Sequence, residues 1–191
     1  MDNIKRIIIG TANFGQEYNG VRAKNVDRIL EYAMESGIEY LDCATAYNYT
    51  PPQGFWTINK ITSPHQQRIG SYATLIHHAK EIPVVWPVLW ELKFGTLKMS
   101  GKVMKIGLSI YEPEEINCLP FDVIQLPYRL VLENKINLKD LKMRGIEVHV
   151  RKVFADKCFE QALKDPYVDK VIIGVDNLEQ LKENVKIVEK L

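Results

Sequence analysis

Long apolar runs are missing from this sequence. The N-terminal MDNIKRIIIG holds only three consecutive isoleucines, too few for the core of a secretion signal, and no stretch approaches the ~20 apolar residues that a membrane span requires. Charge of one sign is missing as well. Lys and Arg number 25 against 24 Asp and Glu, a formal net charge of +1 over 191 residues, so no general attraction to nucleic acid or to an anionic membrane is expected. Cysteine is scarce. Cys43, Cys118 and Cys158 stand far apart with no C-x-x-C spacing, and an odd, scattered set suits reduced thiols better than a disulfide framework. A soluble, cytoplasmic protein with neither nucleic acid nor membrane as partner is the expectation.

What is present is the composition of a globular domain: 46% hydrophobic and 26% charged residues, enough for one sizeable core spanning residues 1–191. Short apolar, β-branched runs recur along the chain. Arg6–Gly10, Glu39–Ala44, Trp56–Lys60 and Ala73–His77 are predicted strands in the first half, and Lys105–Ile110, Asp122–Leu126, Glu147–Val150 and Lys170–Gly174 in the second. Between several of them the period becomes helical. Val26, Ile29, Leu30, Ala33 and Met34 fill one helix face that Gly37 ends, and Leu178, Leu181, Val185 and Val188 mark a last helix over Asn177–Leu191, with Asp176 or Asn177 as its N-cap. Further helices are expected at Pro87–Met99, Pro113–Leu119, Leu138–Arg144 and Ala155–Lys164. Strands alternating with helices make an α/β fold.

An open doubly wound sheet would carry a phosphate loop after its first strand. That position reads Gly10-Thr-Ala-Asn-Phe-Gly15 and lacks both common glycine patterns. Eight strands point instead to a closed, compact (β/α)8 (TIM) barrel with shortened or missing outer helices and loops, since such barrels run down to ~200 residues. The segment Thr45–Phe55, with Pro51-Pro52, is too short for a crossover helix. Extended at ~3.3 Å per residue it still reaches ~36 Å, enough to return to the start of the next strand. A loop is expected there, leaving one side of the barrel thinly covered, and between Ile61 and Tyr72 there is room for only a turn or two of helix.

In a barrel of this class the C-terminal strand ends carry the chemistry. Asp42, Tyr47, Lys60 and His77 fall at or just beyond the ends of strands two, three and four. As a group they have a chemical logic. A phenol with an ordinary pKa of ~10 gives up its proton more easily beside a cation. Lys60 supplies that cation, Asp42 holds and neutralises it, and His77 hydrogen-bonds the reacting oxygen. Taken singly, each residue is more often a capping or solvent-facing group. His78 and His149 read as structural histidines, His65 as loop surface, and Cys43 as a small core residue.

The segments IIIGTANFGQEY and ILEYAMESGIEYLDCATAY, followed in order by INK, TLIHH, GKVMKIGLSIYEPEEI, FDVIQLPYRL, GIEVHVRKVF and VIIGVDNLEQLKENV, resemble successive stretches of bacterial aldo-keto reductases over nearly the whole chain. The resemblance implies an NADPH- or NADH-dependent oxidoreductase acting on a small-molecule carbonyl substrate, with Tyr47 donating a proton to the carbonyl oxygen. It also implies a cofactor site. Gly10 and Thr11 would line its base, Ser109 and Gln125 would hold the nicotinamide carboxamide, and Asp176, Asn177, Gln180 and Asn184 would meet the adenosine portion.

The sequence departs from that family at three places. Ile110 stands where many relatives have an asparagine. Arg151–Phe154 runs almost directly into the next predicted helix, where relatives insert a loop that folds over the pyrophosphate. Asp176 and Gln180 replace basic residues that relatives often set against the 2′-phosphate. A carbonyl reductase is therefore weighed against a non-catalytic or regulatory barrel that has lost effective cofactor binding, and exposed apolar surface on the thin side makes a homodimer a further expectation.

Overall fold

Each β-branched run becomes a strand. In the computed structural model, which describes residues 3–61, 72–78, 99, 103–116 and 121–191, the strands are β1 (Ile7–Gly10), β2 (Tyr40–Ala44), β3 (Trp56–Ile61), β4 (Tyr72–His78), β5 (Val103–Ser109), β6 (Val123–Pro127), β7 (Glu147–Arg151) and β8 (Lys170–Gly174). All pair in parallel, each with its sequence neighbours, and β8 returns to β1, so the sheet closes into the expected barrel.

The pleat sorts the strand residues into two layers. Ile8, Ile58, Val123 and Ile172 are buried together, with Tyr40 against them, inside the barrel. The alternate residues, among them Ile7, Ile9, Leu41, Leu126, Val150 and Ile173, pack outward against the helices. Full burial of each such side chain contributes roughly 1.5–3 kcal/mol, so the layers between sheet and helices carry most of the apolar stabilisation.

Helix α1 (Val26–Glu35) buries Ile29, Leu30 and Ala33 and ends at Gly37, whose φ of +83° favours glycine. The short α2 (Arg129–Leu132), absent from the sequence reading, follows β6, and α3 (Leu138–Met143) is capped by Asn137. Helix α4 spans Phe159–Lys164 rather than Ala155–Lys164. Lys152 and Lys157 both adopt left-handed φ, 63° and 50°, and the chain between them turns on itself instead of winding into a helix. The last helix, α5 (Leu178–Glu189), begins at Asn177, whose side chain accepts a hydrogen bond from the Gln180 amide at 3.0 Å.

Residues 45–55 form the expected connection without an α-helix, a single 3-10 turn over Thr45–Tyr47 leading into irregular chain. Beside it Trp56 and Met34 are 53% and 52% exposed, in keeping with thin cover on that side. Pro113–Glu115 is a 3-10 turn. Ile116 is not helical, and residues 117–119 of the helix expected at Pro113–Leu119, the body of Pro87–Met99, the connection after Ile61, His65 and Cys118 lie outside the described residues. No helix among the described residues is long and apolar enough to cross a membrane.

The floor of the barrel is charged. Glu147 forms an ion pair with Lys105 and meets His149 Nε2 at 2.7 Å, His149 itself being fully buried. The Lys170 ammonium lies 4.0 Å from the Tyr40 ring centre. Burial alone would raise the Glu147 carboxyl, but its hydrogen bonds and charge interactions with His149 and Lys105 outweigh that and bring it down to about 2. A depressed carboxyl stabilises the fold above its unfolded pKa of ~4.3 and loses that contribution as pH falls toward the folded value. Glu147→Gln is therefore expected to cost on the order of 2–3 kcal/mol at pH 7. In urea unfolding followed from pH 7 to pH 2, the gap between native and variant should close below pH 4.5; a gap independent of pH would contradict this role.

Candidate active site

Asp42 and Lys60 occupy neighbouring inward positions at the C-terminal ends of β2 and β3, where Ala44 is level with Lys60. Both are almost wholly buried and form a direct ion pair. The second carboxylate oxygen of Asp42 accepts from Gln125 Nε2 at 2.9 Å. Its backbone carbonyl takes the Thr11 amide and the Thr11 hydroxyl, each at 3.0 Å. Every oxygen of Asp42 thus has a donor, and the residue is fixed from β1, β3 and β6 together.

Tyr47 follows on the 3-10 turn after β2, its ring centre 5.1 Å from Lys60 Nζ. Burial disfavours the Lys60 ammonium, but the charges and hydrogen bonds of Asp42 and Tyr47 more than offset it and hold the lysine above its ordinary pKa. The sequence reading expects Lys60 to leave Tyr47 easier to ionise. Here burial raises the phenol further than Lys60 lowers it, so its pKa lies above the usual tyrosine value and the residue is held protonated.

Two features that the sequence reading missed set the position of Tyr47. Tyr18-Asn19-Gly20-Val21 forms a tight hairpin turn, with φ of 51° and 79° at its two central residues, and it sets Tyr18 beside Tyr47 with ring centres 6.5 Å apart. Asn-Gly is the sequence signal for that turn. Gly15 is the second. A Cβ there would lie 2.0 Å from the Asn48 carbonyl oxygen and 2.8 Å from that of Tyr47, so only glycine lets the loop after β1 pass against the turn that carries the tyrosine.

These groups line a cavity of ≈ 330 Å³ at the C-terminal mouth. Of the residues singled out in the sequence, Gly10, Asp42, Tyr47, Lys60, Ser109, Gln125 and Asp176 line it, and Asn13, Tyr18, Tyr111, Arg151 and Lys152 join them. Thr11, Asn177, Gln180 and Asn184 stand off this wall. Thr11 holds the Asp42 carbonyl, Asn177 and Gln180 cap α5, and Asn184 is buried on the inward face of that helix. Gln180 also accepts from the Asp176 amide at 2.7 Å, while the Asp176 carboxylate accepts from Asn13 Nδ2 at 2.7 Å. Ile110 is fully buried. On β4 the backbone register sets His77 level with Ile61 and Leu108, and His78 level with Ser109; the side chains of both histidines lie outside the described part of the structure.

Two buried polar atoms at the cavity, Ser109 Oγ and Gln125 Oε1, have no hydrogen-bond partner among the described residues. A buried oxygen left unpaired is costly, and a bound ligand is one way to satisfy it. Cys43 is buried and its thiol is pushed up to about 11, chiefly by burial, which leaves it a core residue. No group of His, Cys, Asp and Glu among the described residues is arranged to hold a metal ion.

The molecule is therefore a parallel eight-stranded barrel with a buried Asp–Lys pair and a tyrosine at its mouth. The aldo/keto reductase family model matches residues 6–59, from the approach to β1 through Asp42 and Tyr47 to one residue short of Lys60. A putative aldo-keto reductase from Pseudomonas aeruginosa superimposes with a TM-score of 0.77 at 16% identity, over 97% of this chain and 90% of the other. An aldo-keto reductase from Klebsiella pneumoniae, solved in complex with NADPH, superimposes with a TM-score of 0.72 at 11% identity, over 96% and 85%. No curated protein matches the chain. The chain thus carries the sequence pattern of the aldo/keto reductase family over residues 6–59 and the same barrel fold over nearly all of its length.

Removing one partner of a buried ion pair strands the other charge. Asp42→Ala is expected to destabilise the fold by about 3–5 kcal/mol, and the double variant Asp42→Ala/Lys60→Met to recover most of that loss. Urea unfolding measures both. A single variant that costs under ~1 kcal/mol would mean that Lys60 is solvated rather than buried.

Proposed function

We propose that this chain is a dinucleotide-dependent oxidoreductase that reduces an aldehyde or ketone to an alcohol with NADPH or NADH. The observation that carries the proposal is the Lys60 ammonium, buried between Asp42 and Tyr47 at the mouth of a barrel whose fold is shared with aldo-keto reductases. A buried cation beside a protonated phenol suits proton donation, because the phenolate that forms is met by a charge already in place and needs no solvent rearrangement.

In this reading Tyr47 donates its proton to the carbonyl oxygen, Lys60 stabilises the resulting tyrosinate, and Asp42 keeps Lys60 charged and oriented. The histidine that the sequence resemblance offers is His77, but on β4 it is level with Ile61 and Leu108, whereas His78 is level with Ser109 of the cavity wall, so the register does not favour His77 over His78 at the carbonyl oxygen. When bound, the reduced dinucleotide supplies the hydride for the carbonyl carbon. The unpaired oxygens of Ser109 and Gln125 fit one function of that cofactor: a carboxamide offers both an acceptor for the Ser109 hydroxyl and donors for Gln125 Oε1. Gly10 leaves room at the base of the same cavity, and Asp176, Asn177, Gln180 and Asn184 are the residues that would meet the adenosine portion.

The second reading, a regulatory barrel without turnover, rests on the short turn of residues 152–158 between β7 and α4, which leaves no long loop to close over a pyrophosphate.

Tyr47→Phe separates the two. Reduction of a simple aldehyde by NADPH is expected to fall by about 10²- to 10⁴-fold while NADPH still binds, because only the proton donor is lost. Unchanged turnover would remove Tyr47 from the mechanism. In the native protein the pH–rate profile for reduction should stay flat through neutrality and decline only above ~10, since the Tyr47 pKa is raised and its protonated form persists. Decline centred below pH 8 would contradict that.

A further inference from the structure

His149 is a buried titratable side chain that the proposed mechanism leaves unused. It is 1% exposed, in the middle of β7. Val148 and Val150 on either side pack outward against the helices, so the imidazole points into the barrel. The His149 backbone is in register with Gln125 on β6. In-register residues of neighbouring strands send their side chains to the same face, ~4.8 Å apart. Gln125, a residue of the cavity wall, and His149 therefore stand side by side inside the barrel.

Each of the two has one polar atom engaged and one left over. Gln125 Nε2 donates to Asp42 Oδ1 at 2.9 Å, which fixes Oε1 as the remaining acceptor. His149 Nε2 meets Glu147 Oε1 at 2.7 Å. Glu147 is ionised at neutral pH and can only accept, so the hydrogen in that contact belongs to Nε2, and in the neutral imidazole Nδ1 carries a lone pair. Gln125 Oε1 and His149 Nδ1 are both buried, and neither has a hydrogen-bond partner among the described residues. Two acceptors cannot satisfy each other. They call for a donor with two hydrogens, which a water molecule supplies, and buried waters are held where protein polar groups are otherwise unsatisfied. An amide oxygen has two lone pairs, so Gln125 Oε1 can accept from such a water and still serve a ligand in the cavity.

We infer that one buried water bridges Gln125 Oε1 and His149 Nδ1, and that His149 is thereby a positioning residue for the reaction, fixing Gln125 and through it Asp42. The bridge stands on these two residues alone; the role in the reaction rests on the reductase reading above. A continuous path of hydrogen bonds then joins the two ends of the barrel: Lys105, Glu147 and His149 at the floor, the water, and Gln125, Asp42 and Lys60 at the mouth. Held from behind, the Gln125 amide does not swing away from Asp42, and the lysine that meets the tyrosinate keeps its place.

Two substitutions divide the imidazole between its nitrogens. In His149→Gln the amide reaches where Nε2 stood, keeping the bond to Glu147 and losing the one to the water. In His149→Asn the amide oxygen takes the place of Nδ1, and the Glu147 bond is lost instead. At saturating NADPH, His149→Gln should lower kcat for reduction of a simple aldehyde by about 5- to 10-fold, the value of one hydrogen bond, with the aldehyde KM within about 2-fold of native. His149→Asn, the conservative variant at the bridge, should recover kcat to within about 2-fold of native although it unfolds at lower urea concentration. The opposite order, or kcat losses that simply follow the urea midpoints, would make His149 a structural residue and overturn the role. A crystal structure of the native protein tests the bridge without turnover. A water ~2.7–3.2 Å from both Gln125 Oε1 and His149 Nδ1 upholds it, and a direct bond between the two side chains, or no water there, rejects it. If no carbonyl is reduced, the reductase reading fails by itself, and the crystal structure still decides the bridge.

Discussion

The Lys60–Asp42 ion pair is the constraint on which the mouth of this barrel depends. Two opposite charges taken out of water are tolerable only with close contact and with every remaining donor and acceptor satisfied. The structure meets that demand by drawing on separate strands: Gln125 from β6 holds the second carboxylate oxygen, and Thr11 beyond β1 holds the Asp42 backbone. Satisfying one pair thereby sets the relative height of four strand ends. The same construction presents a charged ammonium to Tyr47, so the interaction that is expensive for folding is the one that the proposed proton transfer would use.

Around that pair the barrel separates its tasks by layer. The floor is an ionic network of Lys105, Glu147 and His149, with Lys170 over Tyr40. The middle is aliphatic, with Ile8, Ile58, Val123 and Ile172. The polar mouth then sits on a dry support, where charges act over a lower dielectric than in water. Helices α1 and α5 pack beside each other outside, and β2 is joined to β3 without a crossover helix.

The barrel was legible in the sequence because parallel, doubly buried strands leave continuous β-branched runs that differ from the 3.6-residue stripe of Val26–Met34. Asp42, Tyr47 and Lys60 could be set at one mouth because they fall at or just beyond countable strand ends, whereas Ser109 and Gln125 were offered only by the family resemblance. Other features depend on three-dimensional balance. Whether burial or Lys60 dominates the Tyr47 pKa cannot be read from spacing. Lys152 and Lys157 in left-handed conformations delay α4, although lysine carries no local signal for such a turn. The Asn19-Gly20 turn did have a signature, and its place beside Tyr47 follows only from the closed sheet.

The most direct test of the central claim is a paired titration of the native protein with NADPH and NADH, following tryptophan quenching and the enhanced emission of the dihydronicotinamide. The account predicts saturable binding of at least one dinucleotide at micromolar to submillimolar concentration, because Ser109 and Gln125 present buried oxygens with no partner among the described residues that a carboxamide would satisfy. No binding of either at millimolar concentration would contradict it, and the barrel would then be a fold kept for a purpose other than hydride transfer.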